Sequence, residues 1–197
     1  NSGSTVYAGP ITLTESTLLK ARAFTEDGKA SKVVSRSFTR KEALSPVKVR
    51  NAEPGLRYEY HEGDWRQNGN WGQRDPDYFT ARPPVKTGVL HRISFDELGP
   101  VEAEFWGCII EGYIEVPYTD SYTFYGLDAR GLEVRIDGEL IMDMQREIQG
   151  VAQVPLEKGK HRIQIKTYQH NWRRSVGFGY YDQLMGRMPI KPSTLSH

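Results

Sequence analysis

With 197 residues the chain has room for one large or two small domains, and enough volume to bury a real core. Its 26 basic and 25 acidic residues leave a net charge of +1, which excludes a nucleic-acid surface built on bulk positive charge. A single cysteine excludes an internal disulfide, and no apolar run approaches the ~20 residues a membrane helix needs.

The 19 glycines, 11 prolines and 11 tyrosines suit an all-β protein rich in turns, and no helix of ordinary length is predicted anywhere. The chain opens in mid-pattern and no signal peptide is visible at its start, so it reads as a fragment or processed piece. Residues 1–40 form a small separate unit. Pro10-Ile11-Thr12-Leu13 is an edge strand, and the β-rich runs 17–24 and 32–38 flank the turn at Asp27-Gly28, the pattern of a hairpin. Three short strands are marginal alone. Residues 41–53 are charged and aperiodic, and read as a linker.

The second domain, 54–197, begins with Leu56, Tyr58 and Tyr60 alternating with Arg57, Glu59 and His61, the period of a half-buried strand. Residues 63–84 carry almost no periodicity, yet hold Trp65, Trp71, Tyr78, Asp64, Asp75 and Asp77. A loop of that length in a compact domain is usually functional or mobile. Residues 89–95 are a further strand, and Leu98-Gly99-Pro100 turns the chain into its central block.

In that block Trp106, Cys108, Ile110, Ile114 and Val116 fall on one face of a strand, with Glu111, Tyr113 and Glu115 on the other. Residues 117–121 are a turn, because proline ends a ladder and Thr119-Asp120-Ser121 bond their own backbone. Tyr122 and Phe124 follow on a second buried strand. Leu132, Val134 and Ile136 then alternate with Glu133, Arg135 and Asp137 before the hairpin turn at Asp137-Gly138. Four successive antiparallel strands describe the core of a β-sandwich. Downstream, Ile163, Ile165 and Thr167 alternate with Arg162, Gln164 and Lys166, and Val176, Phe178 and Tyr180 form the closing strand.

Several of these motifs occur in the order of a known family. Val116-Pro117, Tyr122-Thr123-Phe124, Gly131, Val134, Ile136-Asp137-Gly138, then 157–163 and the ending 189–195, resemble the β-sandwich domain first described in the anthrax protective antigen. In the first unit, Tyr7-Ala8-Gly9-Pro10-Ile11, Lys20-Ala21-Arg22-Ala23-Phe24 and 27–31 resemble part of the small immunoglobulin-like module at the C-terminus of chitobiases and β-hexosaminidases. The resemblance implies an all-β chain: a small incomplete immunoglobulin-like sheet followed by an antiparallel β-sandwich. It further implies a C-terminal accessory region of a secreted, periplasmic or cell-surface glycoside hydrolase of the β-N-acetylhexosaminidase group.

Nothing among the residues themselves points to bond breaking. The histidines at 61, 91, 161, 170 and 197 have no metal-ligand spacing, and neither a nucleophile elbow nor a phosphate loop is present. Cys108, on an apolar strand face, reads as a buried structural thiol. Lectin-like members of the protective-antigen family bind calcium through an S-D-D-G loop before the I-D-G strand. The matching positions here are Asp128, Ala129, Arg130 and Gly131. An arginine repels a cation that needs six to eight oxygens, so no cofactor is expected and calcium is disfavoured.

Calcium-free carbohydrate recognition is the remaining functional reading. Trp65, Trp71, Tyr78 and Trp172 would stack on sugar rings, beside Asp75, Asp77, Asp128, Arg130, Asn171 and Arg173. The competing reading is that these aromatics plug the ends of the sandwich or pack on a neighbouring domain. The expected partner is thus a glycan or the chain's own catalytic domain, with no nucleic acid, no membrane span and an undetermined oligomeric state. A structural interdomain module or an adhesin fragment are the alternatives.

Overall fold

A computed structural model describes residues 4–128, 131–145, 149–170, 176–182 and 185–197. The chain falls into two compact units, Asn1–Glu42 and Ala43–His197. In the first, β1 (Thr17–Ala21) pairs antiparallel with β2 (Val34–Phe38), Leu19 lying opposite Arg36. The turn at Asp27-Gly28 closes as expected, with Gly28 at φ 83° and its N–H donating to the Thr25 carbonyl. Residues 10–13 form no strand. None of the unit's described residues is fully buried, and a two-stranded ribbon by itself is marginal.

The second unit contains β3 (Leu56–Glu62), β4 (Arg66–Gln67), β5 (Asn70–Arg74), β6 (Lys86–Leu90), β7 (Phe105–Val116) and β8 (Asp120–Asp128). It continues with β9 (Gly131–Ile136), β10 (Glu139–Met144), β11 (Gln149–Leu156), β12 (Gly159–His170), β13 (Val176–Asp182), β14 (Gly186–Pro189) and β15 (Leu195–Ser196). A large sheet runs β10-β9-β12-β7-β3-β6, with β15 pairing beside β7 just beyond the start of β3. A smaller sheet runs β11-β8-β13-β14. The architecture is an all-β sandwich. Residues 117–119 carry the chain across from the large sheet to the small one, and the chain crosses back between β8 and β9. Of the four successive strands expected to pair in series, only β9 and β10 form a hairpin.

The core lies between the sheets. Trp106, Cys108, Ile110, Ile114 and Val116 all point inward from β7 with no exposure, as their alternation requires. They meet Phe124, Val154, Leu156 and Phe178 of the small sheet, where the Phe124 and Phe178 rings stack at 5.2 Å. Burial lifts the Cys108 thiol pKa far above its ordinary value, and the residue is a structural thiol. At the β9–β10 turn, Asp137 and Gly138 sit at φ 49° and 88°, both left-handed, as a primed two-residue turn demands. Asp137 is also bound from β12. Its Oδ2 lies 2.6 Å from Nδ1 of buried His161, and its Oδ1 accepts the Arg162 backbone N–H at 2.7 Å.

The stretch 43–53, read from sequence as a linker, lies along this unit. The Leu44 N–H donates to the Pro155 carbonyl, Val47 to Lys160, and Glu53 and His197 exchange backbone bonds. A segment can follow a sheet through its backbone alone, without side-chain period to betray it.

Candidate functional site

The even-numbered side chains of β7 and the odd-numbered ones of β12 are committed to the core, so the opposite set faces outward. Register fixes its order. Phe105 pairs with His170 and Gly107 with Tyr168; then Ile109 with Lys166, Glu111 with Gln164 and Tyr113 with Arg162. One end of this outer face is covered by residues 63–84 and the other is open.

The cover is not the structureless loop expected. Asn68 and Gly69, at φ 50° and 71°, make a two-residue turn between β4 and β5. Asp75 then bonds the Asp77 N–H through its side chain (3.0 Å), and the Tyr78 N–H donates to its carbonyl. That turn drops Tyr78 and Phe79 onto the sheet over Gly107, where a Cβ would lie 2.6 Å from the Tyr78 ring. The glycine is what admits the two rings.

Of the expected site residues, Trp65, Trp71 and Tyr78 are brought together. Trp65 is 1% exposed and its indole N–H donates to the Gln169 carbonyl at 2.7 Å. Tyr78 is wholly buried, its hydroxyl donating to the His61 carbonyl at 2.9 Å. Neither can offer a ring face to a ligand. With Tyr168 they form a buried aromatic base, Trp65 standing edge-on to Tyr168 at 6.0 Å. Burial pushes the Tyr78 phenol well up and that of Tyr168 up to about 12.

Trp71 is different. At 43% exposed it stands on the hairpin above this base, 5.9 Å from Trp65 and 5.5 Å from both Phe105 and His170. Arg66 lies 4.4 Å from its ring centroid and 4.2 Å from that of Phe105. A forked pair with Asp64 holds the guanidinium there, Nε to Oδ1 at 2.9 Å and Nη2 to Oδ2 at 2.8 Å. Those bonds keep the Asp64 carboxyl below its ordinary pKa. Arg66 and Phe105 were missed in sequence because they join Trp71 only through the hairpin and the register of β7. The Asn68-Gly69 pair was the available signal. Asp75 takes Arg82 at 3.5 Å and serves the turn.

Asp128 ends β8, its backbone opposite Val176. Its side chain, together with Ala129, Arg130, Asn171, Trp172 and Arg173, lies outside the described residues, so the 128–131 loop and Trp172 stay expectations from sequence. Among the described residues no three His, Cys, Asp or Glu side chains gather as a metal site, and no helix is long and apolar enough to cross a membrane.

A β-sandwich with one sheet face partly roofed by an aromatic hairpin is thus the class of domain present. Solved structures similar to the chain include the PA14 domain of the MpAFP antifreeze protein, 15% identical over 78% of this chain and 96% of that one, with TM-score 0.55. The epithelial adhesin 9 A domain from Candida glabrata, in complex with Galb1-3GlcNAc, is 10% identical over 80% of this chain and 95% of that one, with TM-score 0.62. An anti-sigma factor domain-containing protein from Clostridium clariflavum is 17% identical over 87% of this chain, with TM-score 0.54. The chain spans 56% and 57% of the two anti-sigma factor domain-containing proteins it matches. No curated protein matches it. A family model described as "Fn3 associated" matches residues 1–38. At these identities the likeness establishes the fold: the sandwich is of the PA14 type.

Proposed function

We propose that the chain is a non-catalytic carbohydrate-binding region of a larger exported protein, and that Trp71 is its principal sugar-stacking side chain. The observation that carries this is the placement of Trp71. It is the large aromatic of the 63–84 cover that keeps substantial exposure, and it stands on a rigid base of buried rings with a pinned guanidinium beside it. Such a platform gives an apolar ring surface and a fixed polar group in one place. A PA14-like adhesin domain with a bound disaccharide supports the choice of ligand class.

Recognition in this reading does not use calcium, since Ala129 and Arg130 stand where the lectin-like aspartate pair would be. Trp172, Asp128 and Arg130 enter as further contacts. The parent protein in this proposal is a secreted, periplasmic or cell-surface glycoside hydrolase of the β-N-acetylhexosaminidase kind, with the first unit a partial chitobiase-type module.

A glycan array probed in EDTA tests the reading. Wild-type protein is expected to give signal that survives chelation, and Trp71→Ala to lose it by on the order of tenfold or more, as removing a stacked aromatic does. Circular dichroism confirms that the variant is folded. An empty array, or undiminished binding by Trp71→Ala, overturns it in favour of a module that braces its own catalytic domain.

A further inference from the structure

The open half of the same sheet face carries a second feature. Strands β3, β7, β12 and β9 place Arg57, Glu111, Gln164 and Arg135 side by side in one row, and Tyr113 and Arg162 in the next. Val49, Arg50 and Asn51 rise along one side and His197 closes another, leaving a concavity of about 700 Å³. That volume lies within the range of ligand pockets, and four arginines are among the side chains that line it.

Four guanidiniums, from Arg50, Arg57, Arg135 and Arg162, face two carboxylates, Glu111 and Asp137. Both acids already accept hydrogen bonds. Glu111 accepts the Gln164 amide, and both oxygens of Asp137 are taken by His161 and the Arg162 N–H. Arg135 is tied to Glu133 at 3.0 Å and to the Gly138 carbonyl at 3.2 Å. Among the described residues no carboxylate lies within ion-pair distance of Arg50, Arg57 or Arg162. Four guanidiniums thus stand against two carboxylates, leaving the hollow an excess of positive charge, although the chain as a whole is nearly neutral. Arginine is the side chain whose planar fork matches carboxylate or sulfate oxygens in pairs.

We propose that this hollow binds the acidic groups, carboxylate or sulfate, of an anionic polysaccharide. Arg57 and Arg135 are three strands apart, about 14 Å, which suits several charges along an extended chain better than a single small ion. From Gly107, under the aromatic cover, to Glu111 is four residues of β7, about 13 Å. One sugar chain lying along the face therefore reaches both the Trp71 platform and the arginine row. The choice of sugar as the carrier of the charge rests on the proposed function above, while the anion site itself does not. A nucleic acid fits less well, since the pI of about 8.0 falls short of a basic domain and Tyr113 is the hollow's single aromatic.

Isothermal titration of the whole chain with polygalacturonate, dextran sulfate, neutral dextran and a single-stranded oligonucleotide, at two salt concentrations, provides the test. Binding to at least one acidic polysaccharide, weakening with salt and absent for dextran, is expected. The double variant Arg57→Gln/Arg162→Gln is expected to lose it at least tenfold with an unchanged melting curve, while Trp71→Ala retains salt-dependent binding. The two polymers separate carboxylate from sulfate preference. Failure of both acidic polymers, equal affinity of the double variant, or tighter binding to the oligonucleotide overturns the proposal. Loss of neutral-glycan binding in Trp71→Ala alone bears only on the platform.

Discussion

The outer face of the large sheet is divided between two treatments of the same strands. Near Gly107 and Tyr168 it is roofed by residues 63–84, and aromatic rings occupy the space solvent would fill. From Glu111 to Arg162 the face is bare, polar and concave. Both halves share β3, β7 and β12, so backbone pairing cannot account for the difference. Side chains do: a glycine at 107 lets the Tyr78 and Phe79 rings approach the ladder closely, whereas long charged residues at 57, 111, 135 and 162 hold water and repel a roof. One half is thereby turned into structure that supports Trp71, and the other is left as surface.

Truncating the roof gives the largest expected effect. Trp65→Ala removes a fully buried indole and its bond to the Gln169 carbonyl, leaving that carbonyl exposed to a void. Large-to-small changes of this kind cost ~3–5 kcal/mol. A guanidinium melt should show the midpoint falling accordingly, with Trp71 emission altered because its 5.9 Å neighbour is gone. A change below about 1 kcal/mol would mean that the roof is an ornament on the sandwich and that the two halves differ less than they look.

A second expectation concerns alkali. Burial raises Tyr168 from an ordinary phenol value near 10 up to about 12, with Arg74 pulling the other way, and Tyr78 beside it is raised as well. A folded pKa above the unfolded one means that the neutral phenol is what the fold favours. The associated stability is complete below pH ~10 and is lost as pH climbs through about 12. For Tyr168 alone, two units correspond to about 2–3 kcal/mol. Chemical denaturation at pH 8, 10 and 11.5 should show no change between the first two and a marked drop at the third. Tyr168→Phe should remove part of that drop, the rest being kept by Tyr78 and Tyr180, which burial raises likewise.

How far the sequence discloses this division depends on which residues encode it. The inward sets, 106 to 116 on β7 and 163 to 167 on β12, announce themselves through period two, and the Asp137-Gly138 turn through its dipeptide. The roof is harder to read. Its turn residues Asn68 and Gly69 are a hairpin signal, but β4 has only two residues and shows no period. Trp65, Trp71 and Tyr78 look equivalent in sequence, and a reader cannot tell which is wedged beneath the others until Gly107 is known to lie under Tyr78. The arginine row is invisible for another reason: Arg57, Arg135 and Arg162 become neighbours through strand register across a sheet that includes a crossover, and no local pattern records that.

The smallest expected effect falls on the open half, and it separates surface from structure most sharply. Arg57 and Arg162 are exposed, and no described ion pair within the face depends on them. Removing such side chains ordinarily changes stability by no more than about 0.5 kcal/mol. Arg57→Gln and Arg162→Gln should therefore melt with the wild type in low salt. Relief of repulsion among the clustered guanidiniums would even favour the variants slightly, an advantage that added salt should erase as it screens the charges. A loss of several kcal/mol from either change would show that the hollow is braced by its arginines, and that its bareness serves the fold rather than a ligand.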